Sequence, residues 1–514
     1  MQLRRHQKEM QDICRGIKSG SGIKKIPVDA GPGAGKTFMA IIAMNELIGS
    51  VVDHAVVVTP RTSLKNQFER DSLDELVFNG NILRAADNNP DLLRGCQAYS
   101  TTFQAISADP ELHYRENIGT KYLLIIDEMQ HLLDNAEWCE TLKPLIDNAT
   151  VVIQMTGTLD VQHGFIYGIE YEDGVPVKRD TADTKWITYS RSRALEDGAI
   201  LPVQFFLFDS SGSYEKDGSV TEFNEIGYDK AALMTAINSQ AAESIIDKSV
   251  AHWQRYCTQI GDYSQILFVD ANIKNARRTC EYLKRLGLDA GIATSDDDDC
   301  SVVIESFCSG KTKIMCTVAT SYEGLNAPAC THVVSLTHIR SKSWIAQMIG
   351  RCQRNYGNKK KGYVFGVNDC YMQEIVRDIQ AECMRPTKPK VSEDTRKPNP
   401  FGESAPKVNP LYSKLESYRN ISDHITISMT ERYLRKEIDD AIKIYLENKS
   451  KTTINGDPVI IKTANMKRMS FIWRAVRLEV NSGRNNEGKL VTKHVEEMSI
   501  YELEKALEII ERLP

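Results

Sequence analysis

From Ile23 to Val367, short apolar runs rich in valine and isoleucine alternate with amphipathic segments of helical spacing. Strands of a parallel sheet are buried on both faces and read as continuous hydrophobic runs, while the helices connecting them keep one polar face. The pattern predicts α/β units, with strands at Ile26–Asp29, His54–Thr59, Lys121–Ile126, Val151–Met155, Gln265–Val269, Lys313–Thr317, Thr331–Leu336 and Gly362–Val367. Several end on a polar residue. Ligands of open α/β sheets bind beyond the carboxyl ends of the strands, so those residues are the first candidates for chemistry.

The alternation breaks near Ser190 to Pro202, which predicts two α/β domains of similar size, 1–195 and 196–383. Residues 384–410 contain six of the chain's seventeen prolines among Lys, Arg, Asp and Glu, a composition that buries no core and reads as an extended linker. Helical periodicity returns over 411–514. Leu434, Ile438, Ile442 and Tyr445 share one face, and Leu503, Ala506, Leu507 and Ile510 share another, with Ser499 and Glu502 spaced as a capping box. This predicts a small helical domain. The acid run Asp296–Asp299 reads as a solvated loop and helix start.

Composition narrows the class. At 514 residues the chain has room for several cores, and no apolar run approaches the ~18 residues a membrane span needs. The opening MQLRRHQKEM leads into no apolar signal core, so the expectation is a cytoplasmic protein, of a prokaryote or of a phage in its host. Twelve cysteines are scattered between Cys14 and Cys383 without the paired short spacing of a zinc or redox motif, and read as reduced thiols. With a net charge of −5, any nucleic-acid binding must come from a local groove rather than from overall charge.

Ala30–Thr37 reads AGPGAGKT between the Ile26–Asp29 strand and an apolar-periodic helix over Phe38–Leu47. A strand, loop and helix in this order is the context of a phosphate loop. Gly31, Gly33 and Gly35, with Ala34 among them, let backbone amides turn towards phosphate oxygens; Lys36 supplies a cation for the β- and γ-phosphates, and Thr37 a hydroxyl for Mg²⁺. A glycine-rich turn without a ligand is the bland alternative, and the flanking elements weigh against it. Ala30 stands where the usual pattern has glycine, and Pro27 removes a ladder donor from the strand. The strand at Tyr122–Ile126 runs into Asp127 and Glu128, an arrangement in which one carboxylate holds Mg²⁺ and its neighbour orients the attacking water.

With these two elements on one chain, most of Met1–Gln380 resembles the superfamily 2 DExH-type helicases and translocases, in the XPB-like, type III restriction-like and phage UvsW-type branch. The resemblance implies two tandem RecA-like domains with ATP and Mg²⁺ between them. DEMQH at Asp127–His131 resembles the DExH box, with glutamine fourth and histidine fifth, so the coupling of nucleotide to nucleic acid falls to Gln130 or His131. LRRHQ at Leu3–Gln7 is similar to an element whose glutamine, here Gln7, reads the adenine. VVTPRTSLKNQ at Val57–Gln67 resembles motif Ia, which makes Arg61 a backbone contact, with Thr102 and Thr317 as further candidates along the groove. The TGT of Thr156–Thr158 resembles motif III, whose Thr156 and Thr158 link ATP state to domain closure.

IMCTVATSYEGLNAP at Ile314–Pro328 resembles motif V, with Gly324 in place and Asn326 where these relatives usually carry aspartate. QMIGRCQR at Gln347–Arg354 matches the motif VI pattern at every specified position. On a helix starting near Ser343, Gln347, Arg351 and Arg354 would share one face, and guanidinium groups aimed at a γ-phosphate stabilise the charge of phosphoryl transfer.

The resemblance implies a nucleic-acid-dependent ATPase, with DNA favoured over RNA and a helicase or branch-remodelling translocase as the leading form. A duplex-pumping subunit of a restriction or defence complex and an RNA helicase are the enzymatic alternatives, and a nucleotide-gated scaffold the non-enzymatic one. Around Trp473, the residues Lys467, Arg468, Arg474 and Arg477 can hold a strand or be solvated, and the helical domain is the place for a protein partner.

Overall fold

The computed structural model describes residues 3–74, 83–89, 91–133, 137–157, 159, 165–172, 175–261, 263–318, 325–382, 406–422 and parts of 434–511. Thr158, Gly324, Tyr445, Lys467, Arg468 and Ser499, together with most of the expected linker, lie outside these. The chain forms two units, one of Met1–Tyr189, Asp197–Val376 and Pro389–Asp423, the other of Ser190–Glu196, Arg377–Lys388 and His424–Pro514.

The larger unit holds two lobes. In the first, strands β1 (Lys25–Ala30), β2 (His54–Thr59), β3 (Leu83–Ala85), β4 (Ala98–Thr102), β5 (Tyr122–Asp127), β6 (Val151–Thr156) and, after a two-residue hairpin pair β7 (Tyr171–Glu172) and β8 (Val175–Pro176), β9 (Ile187–Tyr189) alternate with helices α1 (Arg5–Lys18), α2 (Lys36–Leu47), α3 (Thr62–Asp74), α4 (Phe103–Ala108), α5 (Pro110–Asn117) and α6 (Glu137–Asn148). The sheet order is β3-β4-β2-β5-β6-β1-β9, parallel throughout. Every residue of β2, β5 and β6 is buried, which is why these segments are unbroken apolar runs. Val56, Tyr99, Leu124, Ile126 and Leu142 join one core, each large side chain contributing roughly 1.5–3 kcal/mol. Pro27 is accommodated on the outer side of β1. Both the amide and the carbonyl of Lys25 bond the Asp183–Lys185 segment, so Pro27 two residues on faces the same way, where the ladder with β9 begins only at Val28.

The second lobe contains β10 (Val203–Lys216), β11 (Ser219–Phe223), β12 (Gln265–Asp270), β13 (Ala290–Ala293), β14 (Ile314–Val318), β15 (Cys330–Leu336) and β16 (Gly362–Val367) in the order β11-β10-β16-β15-β12-β14-β13. Only the β10–β11 pairing in that order is antiparallel. In chain order after α7 (Arg191–Glu196), its helices are α8 (Lys230–Asn238), α9 (Gln240–Ile260), α10 (Ile273–Arg285), α11 (Cys300–Cys308), α12 (Lys342–Gly350) and α13 (Cys370–Glu382). The mixed α/β class and parallel sheets expected from the pattern are what the chain forms.

One segment departs from the expected organisation. Asn409–Ser422, divided by the sequence reading between linker and helical domain, is a long strand, β17, antiparallel to β10 in the second sheet. It is held where Gly212 leaves room: a Cβ there would lie 2.2 Å from the Tyr412 carbonyl and 2.9 Å from Ser413 Cα. Ser413 is fully buried, its hydroxyl 2.6 Å from that of Ser239 and accepting from the Ala241 amide at 3.2 Å.

In the smaller unit, Leu434, Ile438, Ile442, Leu503, Ala506, Leu507 and Ile510 form one apolar cluster with Val476 and Met498. Trp473 packs against it and donates Nε1–H to Asp439 Oδ1 at 3.0 Å. The helix Ile500–Glu511 packs on α7, and a short hairpin, β18 (Ser482–Arg484) with β19 (Leu490–Thr492), interrupts the expected all-helical character. Among the described residues no helix is long and apolar enough to cross a membrane, and the eleven cysteines are free thiols, six of them buried.

Replacing Gly212 by valine should therefore detach β17 while sparing the parallel strands. Hydrogen exchange would show 409–422 losing protection with 265–270 unchanged; full protection of both would contradict the packing described.

Candidate active site

The site begins where β1 ends. Between Ala30 and Lys36 the chain turns through Gly33 at φ 81° and Gly35 at φ 87°, left-handed conformations that cost an L-residue about 1 kcal/mol or more. α2 opens at Lys36, and its first internal bond runs from the Met39 amide to the Gly35 carbonyl, so the amides of Lys36, Thr37 and Phe38 have no acceptor within the helix. An anion at this end meets free donors and the positive end of the helix dipole. Lys36 Nζ donates to the Ala30 carbonyl at 3.2 Å. Gly157, directly after β6, makes space for it, since a Cβ there would meet Lys36 Nζ at 2.9 Å.

The back of the loop is tied to α1. Arg4 Nη1 donates to the carbonyls of Gly33 (3.3 Å) and Ala34 (3.0 Å), and His6 Nε2 donates to the Ala34 carbonyl at 2.9 Å. Burial pushes the His6 pKa down to about 4, keeping the ring neutral, and it stacks on Tyr189 with centroids 3.8 Å apart. Gln7, expected at the adenine, lies against the loop itself. Its Oε1 accepts from the Arg4 amide at 2.9 Å, and a Cβ on Gly35 would meet its Nε2 at 2.9 Å.

β5 delivers two acids to this loop. Asp127 is buried and its Oδ1 has no hydrogen-bond partner, an orphaned carboxylate oxygen that fits a cation held jointly with Thr37 and a nucleotide's phosphates. Burial, then the charge of Glu128, raises its pKa above the usual carboxylate range. Glu128 adopts φ 54°, ψ 56°, a left-handed conformation uncommon for a non-glycine residue and a frequent mark of functional turns. Burial works to raise its pKa too, but Lys36, a hydrogen bond from Gln130, and the charges of His131 and Arg351 outweigh it and hold the group below its ordinary value. Gln130 is the pivot: its Nε2 donates to Glu128 Oε2 at 2.9 Å, and its Oε1 accepts from the Thr156 hydroxyl at 2.7 Å. Of the two residues the sequence left open, Gln130 makes the link between the acids and the end of β6, while His131 closes the short turn and adds charge.

The second lobe meets the loop at Gly350, where a Cβ would stand 2.7 Å from Pro32 Cβ. The expected helical face carrying Gln347, Arg351 and Arg354 needs correction. α12 ends at Gly350, leaving half-buried Gln347 inside it, Arg351 at its C-cap and Arg354 beyond. The chain leaves the helix because Gln353 exchanges bonds with Leu201, amide to carbonyl at 2.7 Å and Nε2 to carbonyl at 2.9 Å, and Arg354 bridges Ile200. The two arginines converge nonetheless: Arg351 Nη1 donates to the Leu325 carbonyl at 2.8 Å, and Arg354 Nη1 to Asn326 Oδ1.

The candidate nucleic-acid contacts are less uniform. Arg61 and Thr102 follow or end the neighbouring strands β2 and β4 at the same sheet edge, where Thr102 also caps α4 by accepting from Ala105 at 3.1 Å. Thr317 is fully buried and donates to the Ala293 carbonyl at 2.8 Å, which removes it from a surface groove. Arg4, His6, Pro32, Gly157 and Gly350 were missed as site residues; Gly350 and Gly157 sit inside recognisable motifs, but only three-dimensional proximity gives them a role.

Gly157→Ala would displace the Lys36 ammonium without backbone strain. The affinity for a fluorescent ATP analogue should fall by ~10-fold, about 1.4 kcal/mol, at unchanged thermal stability. Unaltered binding would mean that Lys36 does not address the ligand from this position.

Residues 1–161 match the family described as type III restriction enzyme, res subunit. The uncharacterized protein ML1624 of Mycobacterium leprae is 24% identical over 342 residues, 63% of this chain and 56% of its own length. Rv2917 of Mycobacterium tuberculosis is 25% identical over 348 residues, covering 63% of this chain and 55% of that protein. The chain spans about half the length of these curated relatives. Among solved structures, the ATP-dependent Type ISP restriction-modification enzyme LlaBIII bound to DNA superposes with a TM-score of 0.52 at 12% identity, over 99% of this chain and 40% of that one, a likeness of fold. Residues 1–161 thus carry a domain similar to the res-subunit family, joined to a second parallel-sheet lobe.

Proposed function

We propose that this chain is an ATP-driven motor on DNA, a helicase or branch-remodelling translocase. One arrangement carries the reading: Gly350 abuts Pro32, so that Arg351 from the second lobe projects its charge onto Glu128 in the first. A site assembled from two lobes is remade each time they separate and close, which is what converts hydrolysis into movement.

In this reading Lys36 and the first-turn amides of α2 hold the β- and γ-phosphates. Thr37 and Asp127 would hold Mg²⁺, which neutralises phosphate oxygens as charge develops on them. Glu128, kept ionised by Lys36 and Gln130, orients a water and takes its proton as the water oxygen attacks phosphorus and the bond to the β-phosphate oxygen breaks, leaving ADP and phosphate. Arg351 and Arg354 stabilise the charge on the transferring group, a role worth ~10³-fold or more where arginine fingers have been measured. Through Gln130, the loss of the γ-phosphate is felt at Thr156. Arg61 and Thr102 grip the backbone of the nucleic acid, giving little sequence preference and strong salt dependence.

The res-subunit match favours a second form of the same activity, a duplex-pumping subunit of a restriction or defence complex whose cleavage lies in a partner.

ATP turnover by the full chain should rise by ~10-fold or more on adding DNA, and Lys36→Ala should abolish it. Duplex-stimulated turnover without strand displacement on forks or four-way junctions selects the pump; stimulation by RNA alone selects an RNA motor; no stimulation by either ends the motor reading. Gly350→Ala should cut DNA-stimulated turnover by ~10-fold by forcing Pro32 away, although alanine ordinarily favours a helix by up to ~1 kcal/mol. Turnover at the parent rate would remove the lobe contact from the mechanism.

A further inference from the structure

Position 326 carries asparagine where the resembling motif carries aspartate, and the structure shows what that exchange touches. Arg354 donates through Nη1 to Asn326 Oδ1 and through Nη2 to the Leu325 carbonyl at 3.5 Å, and Arg351 donates to the same carbonyl. These acceptors are neutral, and among the described residues Arg354 forms no ion pair. Behind it, Lys359 is 2% exposed, with its ammonium donating to the Cys330 carbonyl at 2.5 Å. Burial, then the charge of Arg351, pulls Arg354 down to about 10; the opposing pull of Cys308, Asp71 on α3 and Cys330 does not offset this. Burial likewise lowers Lys359 to about 8.

A cation drawn partly out of water, as half-buried Arg354 is, normally has a counter-ion beside it, because removing charge from water is costly without one. A carboxylate at 326 would supply it permanently. Asparagine keeps the acceptor and nearly the same shape and omits the charge. Resting on the reading of Arg354 as a γ-phosphate ligand, we propose that Asn326 is a positioning residue that aims Arg354 while leaving its charge uncompensated, so that the γ-phosphate of a nucleoside triphosphate provides the missing anion. Triphosphate then closes the lobes in preference to diphosphate because only it brings that charge.

Three variants of the full chain test this: Asn326→Asp, Asn326→Ala and Arg354→Ala, each assayed for kcat and KM with saturating DNA, for ATP-analogue over ADP affinity, and for Tm. Asn326→Asp should lower kcat by ~10-fold and reduce the ATP-analogue preference while raising Tm by ~2 °C or more, because the new carboxylate neutralises Arg354 in the resting protein. Asn326→Ala should lose only ~2–3-fold, since it removes one neutral acceptor and adds no charge. A purely geometric role gives the opposite order, with Asn326→Asp near the parent rate and Asn326→Ala slow. That order, or a lowered Tm for Asn326→Asp, overturns the proposal. Parent-like turnover by Arg354→Ala would instead overturn the underlying reading of Arg354, and is distinguishable because it leaves nothing for position 326 to modulate.

Discussion

Asp127 at the buried end of β5 is followed directly by half-buried Glu128, and two like charges at such a site repel by about 4 kcal/mol at 4 Å for an effective dielectric of 20. The chain settles the conflict asymmetrically. Lys36, Gln130 and Arg351 act on Glu128 and keep it ionised, while Asp127 is left with an unpartnered oxygen and a raised pKa. A buried carboxylate in that condition is a preformed place for a cation. The positions of the phosphate loop, of β6 and of α12 all follow from serving this pair: the first brings Lys36, the second Thr156 and the room at Gly157, the third Arg351.

The loop cannot hold its shape alone. Its left-handed glycines make the turn possible but also leave it with large conformational entropy to lose. Arg4 and His6 fix two of its carbonyls, and His6 is itself held by stacking on Tyr189 at the end of β9. Tyr189 donates to Asp197, which pairs with Arg5 at 3.3 Å, so the segment that leaves the first lobe is braced against the same helix. Loop geometry and the exit towards the second lobe are thus set by one small cluster, which gives the phosphate site a mechanical connection to the lobes.

Much of this was readable in advance because parallel strands advertise themselves. VVV in β2 and LLII in β5 allow no alternative face, so the eight strands read from apolar runs lie within a residue of those observed, while β4 and β10 were not among them. The loop and acid pair stood out equally in the sequence, and the structure brings Lys36 close to both acids. What escaped was decided by distant contacts. Spacing put Arg354 on the helix of Arg351, but pairing of Gln353 and Arg354 with Ile200 and Leu201 ends that helix a turn early. β17 carries Pro410 near its start, follows Pro406 and is mostly exposed, so nothing local distinguishes it from linker; its strand state comes from the space at Gly212 and the buried Ser413. Gln130 and His131 were equivalent on paper because only the distance to Thr156 separates them.

Several unfavourable features of the larger unit gather around the candidate site. Left-handed Glu128, the orphaned Asp127 oxygen, half-buried Arg354 and buried Lys359 each cost on the order of 1–3 kcal/mol. A domain with a net stability of 5–15 kcal/mol carries few such costs unless they are offset when a ligand arrives. One triphosphate with its cation would relieve three of them together, meeting Asp127 through the metal, Glu128 through the ordered water and Arg354 through the γ-phosphate. Diphosphate would leave Arg354 unrelieved. In the proposed reading, the asymmetry between the two nucleotides lies in which of these groups each can satisfy, and it would bias two lobes that meet at Pro32 and Gly350.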